Sequence, residues 1–128
     1  MLNLEPLAAQ SASLMVSDEP KKAENLITKS VAVLAEQGVY AFGLFLASRK
    51  DRESRQASDI DGAIRKILTD AGLCEDAPRI SMAEYYGAIS KKRGKESEID
   101  ALRRLLLTKQ LMETALNYGR YHAKAQGG

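Results

Sequence analysis

Cations clustered in the last third of the chain are the residues best suited to chemistry with a ligand. Six of them fall within fourteen residues, as a run around Gly94 and a pair in the helix that follows: Lys91, Lys92, Arg93, Lys95, Arg103 and Arg104. Lysine and arginine side chains neutralise the phosphates of a nucleic acid, and such contacts do not discriminate between base sequences. The pattern therefore predicts a contact with a nucleic-acid phosphate backbone. The alternative is a solvated surface, because the helix dipole favours cations at a helix C-terminus without any ligand.

Charge is unevenly divided along the chain. The segment from Arg79 onward contains ten basic and five acidic residues, a balance of +5, whereas the first 78 residues contain nine basic and twelve acidic residues, a balance of −3. The net charge of +2 conceals this division. A small protein divided in this way favours a polyanion on its basic part and a protein neighbour on its acidic part.

Catalytic and metal-binding patterns are missing from the sequence. His122 is the sole histidine, so no histidine pair can hold a metal, and no serine or cysteine is placed beside it for nucleophilic attack. Cys74 is the sole cysteine, and its acidic neighbours Glu75 and Asp76 argue against a reactive thiolate. No Gly-rich nucleotide-binding run occurs. We therefore predict a protein that is not an enzyme and uses no metal or cofactor.

Composition and length indicate one soluble domain of 128 residues. A single cysteine excludes an intrachain disulfide and suggests a reducing, intracellular setting, which we expect to be the cytoplasm. The opening residues lack the basic start of a secretory signal. The longest apolar run, Val39–Ala47, covers nine residues, whereas a helix needs roughly 20 to span a bilayer. We expect no contact with a membrane.

Helix signals outnumber strand signals along the chain. Gly and Pro residues divide it into segments with apolar residues at helical spacing, and strictly alternating segments are rare. We predict an all-α, single-domain bundle of five or six helices. The expected helices are Pro6–Met15, Lys21–Gln37, Val39–Arg49, Asp59–Ala71, Met82–Arg93 and a last helix from about Ser97 to about Ala123.

Three predicted helices carry a capping box at their start. Each box pairs a serine with an acidic residue three positions later: Ser58 with Asp61, Ser81 with Glu84, and Ser97 with Asp100. Lys50–Ala57 contains no apolar residue before its last position and is predicted to be a solvated loop or a frayed extension. Val39–Arg49 is apolar almost all round, which predicts a buried central helix.

The tyrosines and the last helix bear on which residues form the core and which surface binds a partner. Four tyrosines are predicted to pack in the core, with stacking on nucleic-acid bases as the alternative: Tyr85, Tyr86, Tyr118 and Tyr121. In the last helix, four residues share an apolar face: Leu105, Met112, Ala115 and Leu116. This helix is longer than its partners, so we expect another protein to cover part of its apolar face.

Two segments of the chain resemble the small subunits of type III CRISPR effector complexes. Glu36–Arg49 is similar to the part of the Cmr-type small subunit in which a helix, a glycine and an apolar helix end in a basic residue. Leu111–Ala125 is similar to that family's C-terminal helix, where an E-x-A-L core leads into aromatic and basic residues. The ending also resembles the related Csm-type subunit through Tyr118, Tyr121, Gly127 and Gly128. Together the two segments cover about a quarter of the chain, and Lys50–Lys95 matches no pattern.

The resemblance implies a specific role. Such small subunits are non-catalytic helical bundles that stack head to tail with further copies of themselves, beside the backbone subunits that hold the guide RNA. Their basic faces line the channel that holds guide RNA and target RNA. By position in the matching segments, Arg49, Arg120 and Lys124 inherit the RNA-facing role. The remaining candidates rest on charge alone: Lys91, Lys92, Arg93, Lys95, Arg103 and Arg104.

Two other functions are compatible with the sequence. One is a helical adaptor that binds protein without nucleic acid through its long last helix. The other is a small DNA-binding regulator, since Thr69–Leu73 supplies the Gly-centred turn of a helix–turn–helix. The following residues, Cys74–Pro78, are acidic and end in proline, which argues against their entry into a DNA groove.

Overall fold

The computed structural model describes residues 5–16, 18–75 and 80–127, and these ranges contain six α-helices and no strand. The helices are α1 (Glu5–Met15), α2 (Pro20–Gln37), α3 (Val39–Ala47), α4 (Ser54–Asp70), α5 (Met82–Ile89) and α6 (Glu98–Gly127). The predicted all-α class and the predicted number of helices are confirmed. Pro78 and Arg79, which entered the predicted connector and the charge balance, lie outside the described residues.

The longest helix, α6, packs against α2 and α1. It runs antiparallel to α2, because Gly127 lies beside Lys21 at one end while Lys109 Nζ donates a hydrogen bond of 3.2 Å to the Ala35 carbonyl at the other. Gly119 allows α1 to approach, since a Cβ there would come within 2.7 Å of Met15 Sδ. The first turns of α6 consequently extend past the end of α2.

A second close contact joins α3 to α5. Gly43 makes it possible, because a Cβ at this position would lie 2.6 Å from the Cβ of Tyr86. Tyr86 is fully buried and meets Phe42 edge-on, with 5.2 Å between the ring centroids. Aromatic pairs prefer this arrangement, so the glycine and the two rings together set the separation of the helices.

The start of α4 differs from the prediction. Lys50–Ala57 was predicted to be a loop with Ser58 as the cap, but a 3₁₀ turn covers Asp51–Glu53 and α4 begins at Ser54. Ser58 therefore lies inside the helix, and its predicted capping role is wrong. Gln56 is buried and donates a hydrogen bond of 3.1 Å to Glu19. This contact with the residue that precedes α2 stabilises the helical form of a polar segment.

The serine half of each of the other two capping boxes is confirmed. Ser81 Oγ accepts a hydrogen bond of 3.2 Å from the Glu84 N–H, and Ser97 Oγ accepts one of 3.1 Å from the Asp100 N–H. The predicted end of the fifth helix at Arg93 is wrong, because α5 stops at Ile89. The basic run after it therefore belongs to a loop, and α6 continues four residues beyond its predicted end to Gly127.

The burial of α3 is one-sided. Phe42 and Leu46 are buried against the rest of the bundle, whereas Tyr40 and Leu44 on the opposite side are about half exposed. The predicted central position of this helix is therefore wrong. It is a surface helix whose outer side is also apolar.

Burial of the tyrosines follows the prediction in part. Tyr85 and Tyr86 lie in the core, and Tyr118 is partly buried against it. Tyr121 is 59% exposed, so the prediction that it packs in the core is wrong. In α6, Met112, Ala115 and Leu116 are buried as predicted, and Leu105 is half-buried.

Candidate nucleic-acid interface

The loop between α5 and α6 is held in place by Arg104. The guanidinium of Arg104 donates a hydrogen bond of 3.1 Å to the carbonyl of Ile89 and one of 2.8 Å to the carbonyl of Lys91. Its Nε lies 3.1 Å from a Glu96 oxygen. The last carbonyls of a helix have no partner within the helix, so Arg104 fills this role for α5 and fixes the loop to α6. The side chain of Arg104 is 12% exposed.

Glu96 completes the anchor from the loop side. It accepts hydrogen bonds from Arg104 and from the Arg93 backbone N–H. These bonds, that from Arg104 foremost, lower the pKa of the Glu96 carboxyl below its usual range. A lowered pKa in the folded state means that the stabilisation is present above the ordinary pKa of a glutamate and is lost as the pH falls through the lowered value. The anchor is therefore intact at neutral pH.

Around this anchored loop, four cations point to solvent: Lys91, Lys92, Lys95 and Arg103. None of the four forms an ion pair within the part of the chain that the structure describes. Arg93 is also exposed, and its guanidinium lies 3.8 Å from Cys74 Sγ. The structure thus brings five of the nine predicted residues to the end of the bundle where α6 begins. We call these five residues the basic loop patch.

Arg104 has a different role from the other predicted cations. It was predicted to contact phosphate, but its guanidinium is occupied by Glu96 and by two backbone carbonyls. A side chain with these partners positions the loop and offers little charge to a ligand.

The three residues carried over from the resemblance lie elsewhere. Arg120 and Lys124 follow Arg103 by at least 17 residues on the same helix, which places them about 25 Å or more away. Arg120 stacks over Tyr121, with 5.3 Å from its guanidinium carbon to the ring centroid. Arg49 lies just after α3, covers the Phe45 ring and pairs with Glu53 at 3.5 Å. Arg120 and Lys124 are therefore separated along α6 from the basic loop patch, and Arg49 makes contacts of its own at the end of α3.

Cys74 has a neighbour that its sequence context did not reveal. Glu75 and Asp76 suggested a thiol without cationic neighbours, yet Arg93, 19 residues away, donates to its sulfur. Tyr85 lines the same cleft. The expectation that Cys74 has no positive neighbour is therefore wrong.

A polar cleft between α4 and the start of α5 was not predicted from the sequence. It has a volume of about 640 Å³, and Asp61 and Arg65 are among its lining residues. Asp61 Oδ1 accepts a hydrogen bond of 2.8 Å from the Tyr86 hydroxyl and one of 2.9 Å from Arg65 Nε. Arg65 in turn covers the Tyr85 ring at 4.4 Å. The charged groups of this cleft satisfy one another, which assigns them to the stability of the α4–α5 contact.

Replacing Arg104 by alanine tests the anchor. We expect Arg104→Ala to lower the free energy of unfolding by about 1.5 kcal/mol, because the carbonyls of Ile89 and Lys91 lose a charged donor. Arg103→Ala is the matched control, since its side chain is exposed and substitutions of this kind stay within about 0.5 kcal/mol. Urea unfolding of both variants measures the difference, and equal effects would show that Arg104 does not hold the loop.

No protein-family model, no curated protein and no solved structure matches this chain. Within the described ranges, none of the helices combines the length and the apolar content needed to cross a membrane. The same residues contain no group of three His, Cys, Asp or Glu side chains arranged to hold a metal ion.

Proposed function

We propose that this chain is a non-catalytic helical subunit that contacts the phosphate backbone of RNA through the basic loop patch. The observation that carries the proposal is a set of exposed cations on and beside a loop that Arg104 fixes in place, none of which forms an ion pair with a carboxylate of the described residues. A fixed loop presents its charges without a large ordering cost on binding. Contacts of this kind bind RNA of any sequence.

The resemblance supplies the biological setting of the proposal. In a type III CRISPR interference complex of the cytoplasm, the chain would lie beside guide RNA and target RNA, next to backbone subunits and further copies of itself. Arg49, Arg120 and Lys124 fall in the segments that carry the resemblance. Because they lie apart from the basic loop patch, they would contact a different stretch of RNA or a neighbouring subunit.

The alternative of a DNA-binding regulator receives less support. The helix that would enter a groove is α5, whose eight residues include no Lys, Arg, Asn or Gln. The connection from α4 to α5 runs from Ala71 to Ser81, much longer than the three or four residues of a helix–turn–helix turn. The adaptor alternative is favoured by one observation, the exposed aliphatic side chains on the first turns of α6.

Binding of a labelled single-stranded RNA to the purified protein tests the proposal. We expect the triple variant Lys91/Lys92/Arg93→Ala to bind about tenfold more weakly than the wild type, because three phosphate contacts are removed. The substitutions leave the anchor intact, since Arg104 bonds to backbone carbonyls and not to these side chains.

The matched control removes the same charge elsewhere. Lys21, Lys50 and Arg52 are exposed and form no ion pair among the described residues, so their triple alanine variant should retain RNA affinity within about twofold. Equal losses of RNA affinity in the two triple variants would show that the loss depends on net charge and not on the position of the cations. Unchanged affinity of Lys91/Lys92/Arg93→Ala would move the site elsewhere, and purification from the native host without any associated RNA would argue against the CRISPR setting.

A further inference from the structure

The first three turns of α6 expose an aliphatic surface that the RNA proposal does not explain. Four side chains form it, which we call the outer stripe: Ile99, Leu102, Leu106 and Leu107, exposed by 64, 56, 57 and 40%. The spacing of three and four residues places the first three on one side of the helix. Leu111 and Met112, which are buried, lie on the opposite side. The outer stripe is therefore a second apolar face, separate from the one that seals the bundle.

Neighbouring helices leave this surface uncovered. Lys109 bonds to the Ala35 carbonyl near the end of α2, so the preceding turns of α6 extend beyond that antiparallel helix. Soluble proteins rarely leave several large aliphatic side chains together in water, and such patches mark sites of association. RNA does not fit the outer stripe. A phosphate backbone cannot bury Leu and Ile, and these side chains provide no aromatic ring on which a base could stack.

Cations border the row formed by Ile99, Leu102 and Leu106 on both sides. On one side, a groove of about 240 Å³ separates α6 from the loop, and Leu102 lines it together with Lys91 and Lys92. Glu98 also lines this groove and is its one carboxylate among the described residues. On the other side of this row, Arg103 is exposed and lies about 100° round the helix from Leu102, between the row and Leu107. A surface with this distribution is complementary to an apolar ridge that carries carboxylates on both edges.

We propose that the outer stripe binds an amphipathic helix of another protein, one whose Leu- or Ile-rich ridge is bordered by Asp and Glu. The ridge would lie along Ile99, Leu102 and Leu106, and its acidic borders would meet Lys91, Lys92 and Arg103. Helix-in-groove recognition uses this combination of aliphatic anchors at spacings of three and four residues with charges at the rim. This site and the basic loop patch share only the cations Lys91, Lys92 and Arg103. Substitution of the aliphatic residues therefore tests helix binding separately from RNA binding.

Two synthetic helical peptides of about 18 residues test the proposal with the full-length protein. Both carry the same leucine ridge, one with glutamate borders and one with lysine borders, and fluorescence anisotropy measures their binding. The acidic peptide should bind at least about tenfold more tightly than the basic one. The Leu102→Gln/Leu106→Gln variant should bind the acidic peptide at least about tenfold more weakly than the wild type, because two half-exposed leucines lose their burial against the peptide.

Leu14→Gln is the control, since Leu14 is 48% exposed on α1, away from the outer stripe, and this variant should keep wild-type peptide affinity. Equal binding of the two peptides, or unchanged binding by Leu102→Gln/Leu106→Gln, would overturn the proposal. Two further outcomes would also overturn it. If the double variant loses RNA affinity as well, the stripe belongs to the RNA site, and if it converts a dimer into a monomer in sedimentation, the occupant is a second copy.

Discussion

Gly43→Ala should lower the free energy of unfolding by about 2 kcal/mol. The added methyl would lie 2.6, 2.7 and 2.9 Å from Cβ, Cδ2 and Cγ of Tyr86. Those atoms belong to a fully buried side chain next to its own backbone and cannot swing away, so α3 and α5 must separate. Overpacking of this kind costs about 1–3 kcal/mol, occasionally more, and exceeds the gain of about 1 kcal/mol in helix propensity.

Gly62→Ala separates the steric effect from the propensity effect. Gly62 also lies within a helix, but a Cβ there would meet nothing within 4 Å. We expect this variant to be more stable than the wild type by about 0.5–1 kcal/mol, because alanine favours the helix and restricts the unfolded chain. Urea unfolding compares the two. Changes of the same sign would mean that the α3–α5 contact does not depend on Gly43.

Alkaline pH should destabilise the wild type through Tyr86. Burial, reinforced by the Asp61 carboxylate, raises the pKa of Tyr86 well above its usual range. The stability that this group contributes is complete below the ordinary tyrosine pKa of about 10 and falls as the pH rises above it, because the unfolded chain ionises first. The loss for one such group approaches about 1.4 kcal/mol per pH unit. Burial raises the pKa of Tyr85 in the same direction.

Tyr86→Phe isolates this effect. At pH 7 the variant should be less stable than the wild type by about 1.5 kcal/mol, because the hydrogen bond to Asp61 is lost. Above pH 10 the wild type loses stability that the variant cannot lose, so the gap should close within about one pH unit. Tyr40→Phe, at a half-exposed position, should follow the wild-type profile. A constant gap between wild type and Tyr86→Phe from pH 7 to 11 would contradict the assigned burial.

Helix number and most helix starts were predictable because their causes are local. Ser81 and Ser97 satisfy N–H groups three residues away, and Gly38, with φ of +96°, ends α2 at a position that favours glycine. The start of α4 was not predictable in this way. Gln56 is buried through a hydrogen bond to Glu19, 37 residues earlier, and no local pattern reveals such a contact.

The candidate site was predictable in composition and only partly in arrangement. The run of cations after α5 is evident from the sequence, and its exposure follows from its charge. Arg104 differs from Arg103 because it bonds to carbonyls 13 and 15 residues away. Counting charges in the sequence cannot distinguish the two arginines. The distance of Arg120 and Lys124 from the loop follows from one uninterrupted α6. The outer stripe was hidden because the run Leu105–Leu107 places apolar residues on both sides of this helix.

The salt dependence of RNA binding is the sharpest test of a contact between the basic loop patch and RNA phosphates. If the five residues of the basic loop patch each neutralise a phosphate, a plot of log affinity against log salt concentration should be linear with a slope of about −3.5, from about −0.7 per contact with a single strand. The Lys91/Lys92/Arg93→Ala variant should show a slope shallower by at least about 1. A wild-type slope near zero, or the same slope in both proteins, would contradict an RNA contact at this loop.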